Sequence, residues 1–458
     1  MACDSTLQGV SRECRDVIIA GGGLGGLFAA ICLSRKGFNV TVAEKTKTFR
    51  AYGGPIQLAS NGMSVVKATS KELYADVQKN SRPFWGTTSG IKDGYTGEWM
   101  FRFDAITEIP TEQNLPFAVC IDRSDLQSCL LDEIGRINKK NTEGRISVLM
   151  NSTINSYKQD ISSNLVTARL SDDTHLSGDI LIGADGIWSQ VRSQMFQEPM
   201  GVRGRESTAS HTGYKLFSGL PVVESDDYFD IGYCAYIGPD HYFVTCPDRR
   251  GRMQWYAFIK SRPYEQVIDG PSHLLVKIFQ DWAPEINKLI VATSEDSIAQ
   301  RDLWDRPPCL RRGWSDGNVA LLGDSCHATM PNIGQGTGLA FEDAFVLSNI
   351  LAKVQYRSQV SDALKEYYSM RLVRTAIIQG LGRMNSESIK ILTPLLPIKP
   401  LIDSVISPLL PYVFRVQFGY CFSFSPVREG VSESIASAEL MRDRHYTETI
   451  RAWKEDLH

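Results

Sequence analysis

The sequence predicts an α/β fold: a Rossmann-like dinucleotide-binding unit, an antiparallel β-sheet unit beside it, and a helical C-terminal region. Three observations predict it. Residues 16–44 read DVIIAGGGLGGLFAAICLSRKGFNVTVAE, a succession of strand, glycine turn, helix, strand and acid. Two later apolar runs, 178–186 and 319–324, again end in small residues and an aspartate. Between them, residues 213–259 carry aromatic, partly alternating runs parted by glycine and aspartate turns, which suits an antiparallel sheet with one covered face.

Val17, Ile18, Ile19 and Ala20 form the first strand. Gly21, Gly23 and Gly26 have the spacing G-x-G-x-x-G, with Gly22 and Gly25 completing the turn. Glycines let the backbone turn tightly and approach a pyrophosphate, whose charge the next helix N-terminus favours. That helix covers Leu27 to Arg35; Lys36 adds positive charge at its end and Gly37 a left-handed cap. Phe38 to Ala43 is the second strand, and Glu44 is placed to accept hydrogen bonds from ribose hydroxyls. A turn that merely packs a helix on a sheet is the structural alternative.

Gly53, Gly54 and Pro55 make a turn, with Ser60 or Asn61 capping the next helix. Small residues there would let a loop lie against a flat ring. Residues 90–103 read as a hairpin, and a helix runs from Arg123 to Leu131. Arg123 is either a surface charge or a group reaching into a cofactor cleft to neutralise a diphosphate. Strands fill Ile146 to Leu170, broken near Asp160. The strand ending in Asp185 continues through Ser189, Val191 and Arg192 into a helix. The strand ending in Asp324 leads through a loop, Ser325 to Asn332, into Gly334-Gln335-Gly336-Thr337-Gly338 and a helix from Leu339 to Ala352. This glycine loop offers backbone N–H groups to an anionic or electron-rich group. Asp324 either binds cofactor hydroxyls or caps the turn. The chain is then helical from Asp362 to Lys390. Ile391 to Phe414 is apolar but broken by five prolines, so no run is long enough to span a membrane. It is either an interfacial segment or covered packing. Glu433 to His458 reads as a charged, solvent-facing helix.

At 458 residues the chain has room for two or three domains. The net charge of −3, with both signs mixed throughout, suggests no nucleic-acid surface. Ten scattered cysteines without C-x-x-C, and seven isolated histidines, give no metal site and read as reduced, mostly buried thiols and packed imidazoles. MACDSTLQGVSRECR has no apolar core of signal-peptide type and is short and acidic for a transit peptide. Either the protein works in the cytosol, or a targeting segment has been removed.

Three separated blocks, GGGLGG with Glu44, GADGIWSQVR at 183–192 and GDSCHATMPNIGQGTG at 323–338, resemble the single-component FAD-dependent monooxygenases of the aromatic-hydroxylase type. The resemblance covers residues 15–380. Within that family GGPIQLASNG at 53–62, MQWYAF at 253–258, HATMPNIGQG at 327–336 and RTAIIQGLGRM at 374–384 are most similar to the zeaxanthin epoxidases. The plant enzymes carry a further forkhead-associated domain, which is not expected here.

The resemblance implies a Rossmann-like FAD-binding domain of the glutathione-reductase type, over 15–85, 119–200 and 300–352. It implies a substrate domain over 86–118 and 201–299, and a helical region over 353–458. Gly21, Gly23, Gly25, Gly26 and Glu44 would hold the ADP half of FAD. Arg123 and Gly54 would contact the cofactor, Asp324 its ribityl chain, Gly336 and Thr337 the isoalloxazine, and Asp185 and Arg192 FAD or NADPH. No catalytic side chain is assigned. NAD(P)H, or a reductase partner, would reduce the flavin, and O2 would then form a flavin hydroperoxide that epoxidises an electron-rich double bond. Such a step needs no phenol-deprotonating base. The implied substrate is hydrophobic, a carotenoid such as zeaxanthin, and the implied place is a plastid, peripheral to the thylakoid membrane; the cytoplasm is the alternative. Competing readings are a hydroxylase of a small aromatic, an epoxidase of another isoprenoid, and a non-enzymatic carotenoid- or lipid-binding protein.

Overall fold

The computed structural model describes residues 14–49, 54–140, 144–160, 162–221, 231–310, 312–392, 409–424 and 426. The expectations for residues 1–13, for Arg50 to Gly53, for most of Ile391 to Phe414 and for Glu433 to His458 lie outside the described residues.

The strand–glycine–helix–strand reading holds. A six-stranded sheet has the order β18 (Ser315–Asp316), β19 (Val319–Leu321), β12 (Ile180–Gly183), β1 (Asp16–Ala20), β2 (Asn39–Ala43) and β8 (Ile146–Leu149). All pairs are parallel except β18 with β19, so the sheet needs cover on both faces. Helix α1 (Leu24–Ser34) is buried at ten of its eleven residues. It packs against α10 (Gly336–Leu351), with Phe28 stacked on Phe341 at 4.1 Å. Helix α5 (Arg123–Lys140) also packs on α1. The three apolar strands whose ends carry Gly21, Asp185 and Asp324 are therefore neighbours, and those ends share one edge of the sheet.

The aromatic runs form a seven-stranded sheet: β17 (Ala299–Asp305), β13 (Ser210–Gly219), β16 (Met253–Lys260), β15 (His241–Pro247), β14 (Ile231–Ile237), β5 (Thr88–Asp93) and β6 (Trp99–Arg102). Its outer face is covered by α7 (Pro271–Phe279) and α8 (Pro284–Val291), around Phe217, Phe243 and Trp255. Because β17 pairs with β13, this sheet takes in residues 300–305, which the sequence reading gave to the nucleotide unit. Two three-stranded sheets complete the strands. One joins β3 (Pro55–Leu58), β7 (Val119–Asp122) and β4 (Ser81–Pro83); the other joins β9 (Ile154–Asp160), β10 (Leu165–Leu170) and β11 (His175–Gly178). The remaining helices are α2 (Ser60–Thr69), α3 (Lys71–Lys79), α4 (Ala105–Gln113), α6 (Gln190–Phe196), α9 (Asp324–His327), α11 (Val360–Leu392) and α12 (Leu410–Phe422).

Three local readings are corrected. Neither Ser60 nor Asn61 caps α2: Ala59 is the N-cap, Ser60 and Asn61 are buried in the first turn, and Asn61 bonds across to α10 instead. Helix α10 starts at Gly336, three residues before Leu339, and takes in Gly338, where a Cβ would be 2.9 Å from the Asn61 amide. The loop after Asp324 opens with the short helix α9.

Candidate cofactor site and active site

The glycine turn after β1 has two kinds of glycine. Gly21 has φ +101°, and a Cβ there would sit 2.5 Å from the Ala184 carbonyl oxygen. At Gly26 it would be 2.0 Å from the Gly21 oxygen. These two make the turn and its packing. Gly23, by contrast, has nothing within 4 Å and opens onto the cleft. Glu44 closes the turn: Oε2 accepts from Gly22 N at 2.7 Å and Oε1 from Thr46 N at 2.9 Å.

The cleft itself has a volume of about 1320 Å³ and lies between the glycine edge of the parallel sheet and the inner face of the seven-stranded sheet. That exceeds the usual span of roughly 300–1,000 Å³ for a single small ligand. Seven of the twelve candidate residues line it: Gly23, Gly25, Gly54, Arg123, Asp324, Gly336 and Thr337. Both α1 and α10 begin at its wall with no side-chain cap, leaving N–H groups of their first turns for a bound group. Gly336 has open space where a Cβ would be. Gly54 serves differently: its Cβ would meet Gln254 Oε1 at 2.5 Å, so glycine lets β3 approach the seven-stranded sheet, where the Tyr256 hydroxyl donates to Pro55 O at 2.5 Å.

Gly21, Gly26, Glu44, Asp185 and Arg192 do not line the cleft. Asp185 Oδ2 accepts from Gln190 N at 2.8 Å and Val191 N at 3.3 Å, which places it under the first turn of α6, while Oδ1 is buried without a hydrogen-bond partner among the described residues. Asp324 is exposed to the cleft, but many protein atoms are packed around it. That enclosure raises its carboxyl above the usual range, against the pull of His327, Arg123 and Arg301.

A buried charge network that the sequence did not reveal holds the Asp324 corner. Asp343 Oδ2 accepts from Gly323 N at 3.1 Å and meets His327 Nε2 at 2.5 Å; Oδ1 accepts from Arg371 Nε at 2.8 Å. Glu342 accepts from Asn61 at 2.6 Å and from Arg374 at 2.7 Å, and pairs with Arg371. Burial alone would lower the His327 imidazolium, but Asp343 and Cys326 beside it raise it well above its ordinary value. Burial would raise Asp343, yet His327 and Arg371 hold it at about 2. The E-D pair at 342–343 on a buried helix was the available signal. The cysteine expectation fits: of nine described free thiols, eight are buried. Two of them, Cys120 and Cys246, face each other at 2.9 Å beside the cleft.

The opposite wall comes from alternate residues of the antiparallel sheet. Leu216, Ser218, Tyr256, Phe258 and Val244 share a face and line the cleft. Burial pushes the Tyr256 and Tyr233 phenols up, so both stay protonated near neutral pH. The cleft is thus polar, with helix N-termini, on one side and largely apolar on the other. A flavin dinucleotide fits this division: N–H groups and Asp324 for its polar chain, glycines where its ring and phosphates would crowd a Cβ.

The chain matches the FAD binding domain family over residues 15–379. It belongs to that family. Among curated relatives of this FAD binding domain protein, the chloroplastic zeaxanthin epoxidase of Nicotiana plumbaginifolia is 35% identical over 392 residues, covering 82% of this chain and 56% of that protein. That of Oryza sativa subsp. japonica is 35% identical over 380 residues, covering 80% and 54%. The chain thus spans about half the length of the curated relatives it matches. Among solved structures, Klebsiella pneumoniae HpxO with FAD and uric acid superposes at a TM-score of 0.69, with 23% identity, covering 94% of this chain and 99% of that one. A salicylate hydroxylase substrate complex gives 0.70 with 18% identity, covering 92% and 98%. At these identities the likeness speaks for the fold.

Proposed function

We propose that this FAD-binding chain is a monooxygenase that epoxidises the ring double bond of a carotenoid such as zeaxanthin, to antheraxanthin and violaxanthin. The observation that carries the reading is 35% identity to zeaxanthin epoxidases across four fifths of the chain. FAD, once bound and reduced by NAD(P)H or a reductase, supplies activated oxygen. The first-turn N–H groups of Gly336 and Thr337 would face the ring, Asp324 would accept from the ribityl hydroxyls, and Arg123 would meet the diphosphate charge. Leu216, Val244 and Phe258 would exclude water and seat the hydrocarbon ring. Tyr233 and Tyr256, kept protonated by burial, offer no phenolate base, and oxygen transfer to an alkene requires none.

A polyene substrate would reside in a membrane, and we infer a peripheral contact through α12. Leu409, Tyr412, Val413 and Val416 stand at helical spacing i, i+3, i+4, i+7, all exposed, with Tyr412 at 71% and Val416 at 75%. Among the described residues no helix is long and apolar enough to cross a membrane. A plastid location follows from the chloroplastic relatives and belongs to the same proposal.

The test is product analysis. Purified yellow protein incubated with zeaxanthin in lipid, O2 and a reductant should yield mono- and diepoxides. Flavin that is reduced and reoxidised with zeaxanthin recovered intact would reject the carotenoid.

A further inference from the structure

The facing thiols Cys120 and Cys246 have no task in the reading above. Cys120 lies on β7, opposite Gln57 of β3; Cys246 lies on β15, opposite Gln254 of β16. Gln57 and Gln254 both line the cleft, and so does Cys246 itself. The two sulfurs are thus where the small sheet that carries Pro55 meets the seven-stranded sheet, in hydrogen-bond contact at 2.9 Å although 126 residues apart in the chain. Cys120 is 0% exposed and Cys246 4%. The hydrogen bond with Cys246 and burial raise the Cys120 thiol well above its ordinary value, so Cys120 keeps its proton while Cys246 presents its sulfur to the cleft.

A pair this close needs a shift of roughly 0.9 Å to reach the S–S bond length of about 2.05 Å. It also needs a two-electron oxidant. Hydrogen peroxide arises in the cleft whenever reduced flavin consumes O2 without an acceptor for the oxygen. We propose that Cys120 and Cys246 are a redox-active dithiol that captures hydrogen peroxide inside the cleft and closes to a disulfide tying its two walls together. The Cys246 sulfur attacks one peroxide oxygen; the O–O bond breaks, one water leaves and Cys246 is left as a sulfenic acid. The Cys120 sulfur then attacks the Cys246 sulfur, the S–O bond breaks, and the second water leaves with the Cys120 proton. The two thiols have lost two electrons and the peroxide has gained them. A dithiol reductant reopens the bridge by exchange. The proposal needs bound, reducible FAD and does not depend on the identity of the substrate.

The test photoreduces FAD-loaded protein under argon and then admits air with catalase in the solution. The protein is denatured in iodoacetamide and digested for mass spectrometry. Wild type should give the Cys120 and Cys246 peptides joined, two hydrogens lighter than the free pair, and dithiothreitol should part them. Because the bridge closes a long loop, the oxidised protein should melt several degrees higher. Cys120→Ser should give no joined peptide, and dimedone should label its Cys246 as a sulfenic acid that has lost its partner. If Cys120→Ser does not fold, Cys246→Ser serves, again with no joined peptide. Wild type in which both thiols still take up iodoacetamide after the air step overturns the proposal. So does a bridge already present before air, which would make the flavin its oxidant, or one that forms only without catalase, which would place the peroxide in bulk solution. Epoxide formation is scored separately: bridged peptides without epoxide sink the carotenoid reading and leave the dithiol in its role.

Discussion

Asp343 is engaged three times at one carboxylate, by Gly323 N, His327 and Arg371. Removing one partner of a buried pair typically costs ~3–5 kcal/mol, so Asp343→Ala should lower the urea unfolding free energy by about that much. The pair also ties stability to pH. His327 has its folded value raised, so its stabilisation is full below the unfolded histidine value of about 6.5 and fades as pH climbs toward the folded one. Asp343 is depressed from 3.8 to about 2, so its stabilisation is full above the unfolded value and fades on acidification. Urea midpoints should therefore fall between pH 6 and pH 9 in wild type and fall less in His327→Gln; an identical decline would detach His327 from the effect. The glycines make a sharper contrast. Gly26→Ala must displace the Gly21 carbonyl and should abolish soluble protein, whereas Gly23→Ala has room in the fold. Gly23→Ala and Asp324→Ala should both melt normally as apoprotein yet lose FAD on gel filtration; full flavin occupancy would clear those residues of cofactor contact.

Helix α12 shows how one element carries two faces. Its inner face packs Phe414 and Phe418 against Phe101 and Phe103, and Arg415 clamps Glu108 and Glu112 of α4 at 2.5–2.7 Å. The outer face, Leu409, Tyr412, Val413 and Val416, is apolar and exposed among the described residues. Replacing Val413 and Val416 together by Asp touches none of the inner contacts. The double variant should keep the wild-type melting temperature and float less with thylakoid-lipid vesicles; equal flotation would leave α12 as a packing element alone. Helices α1 and α10 illustrate the opposite case. They approach closely because Gly25 faces Ala340, where a Cβ would come to 3.1 Å, so both N-termini can address one ligand.

At the scale of the molecule, the cleft exists because two sheets of different kinds face each other, a parallel one ending in glycine corners and an antiparallel one presenting alternate side chains. A ligand that bridges both should stabilise them as a unit. At free FAD a hundredfold above its dissociation constant, linkage gives ~2.7 kcal/mol. Stripping the flavin should lower the apparent melting temperature, and adding FAD back should restore it in proportion to the logarithm of its concentration. A melting temperature indifferent to FAD would contradict a cofactor held between the sheets.

The sequence by itself determined the glycine turn, the capping Gly37, the strands that end in Glu44, Asp185 and Asp324, and the alternation of the aromatic sheet. These are short-range properties: they follow from which residues tolerate a given φ and from a period of two or of 3.6 read over a few residues. Only the tertiary structure decided that Asp185 sits under α6 while Asp324 opens to the cleft, although both follow an apolar strand with the same kind of ending. It alone joined Asn61 and Gly323 to Glu342, Asp343 and Arg371, which stand far apart in the chain. And it alone turned the exposed Arg301 toward the cleft. The register of β13 against β17 shifts between His211 and Lys215, and because side chains alternate along a strand, a slip of one residue would have turned Asp302 into the cleft and Arg301 away from it.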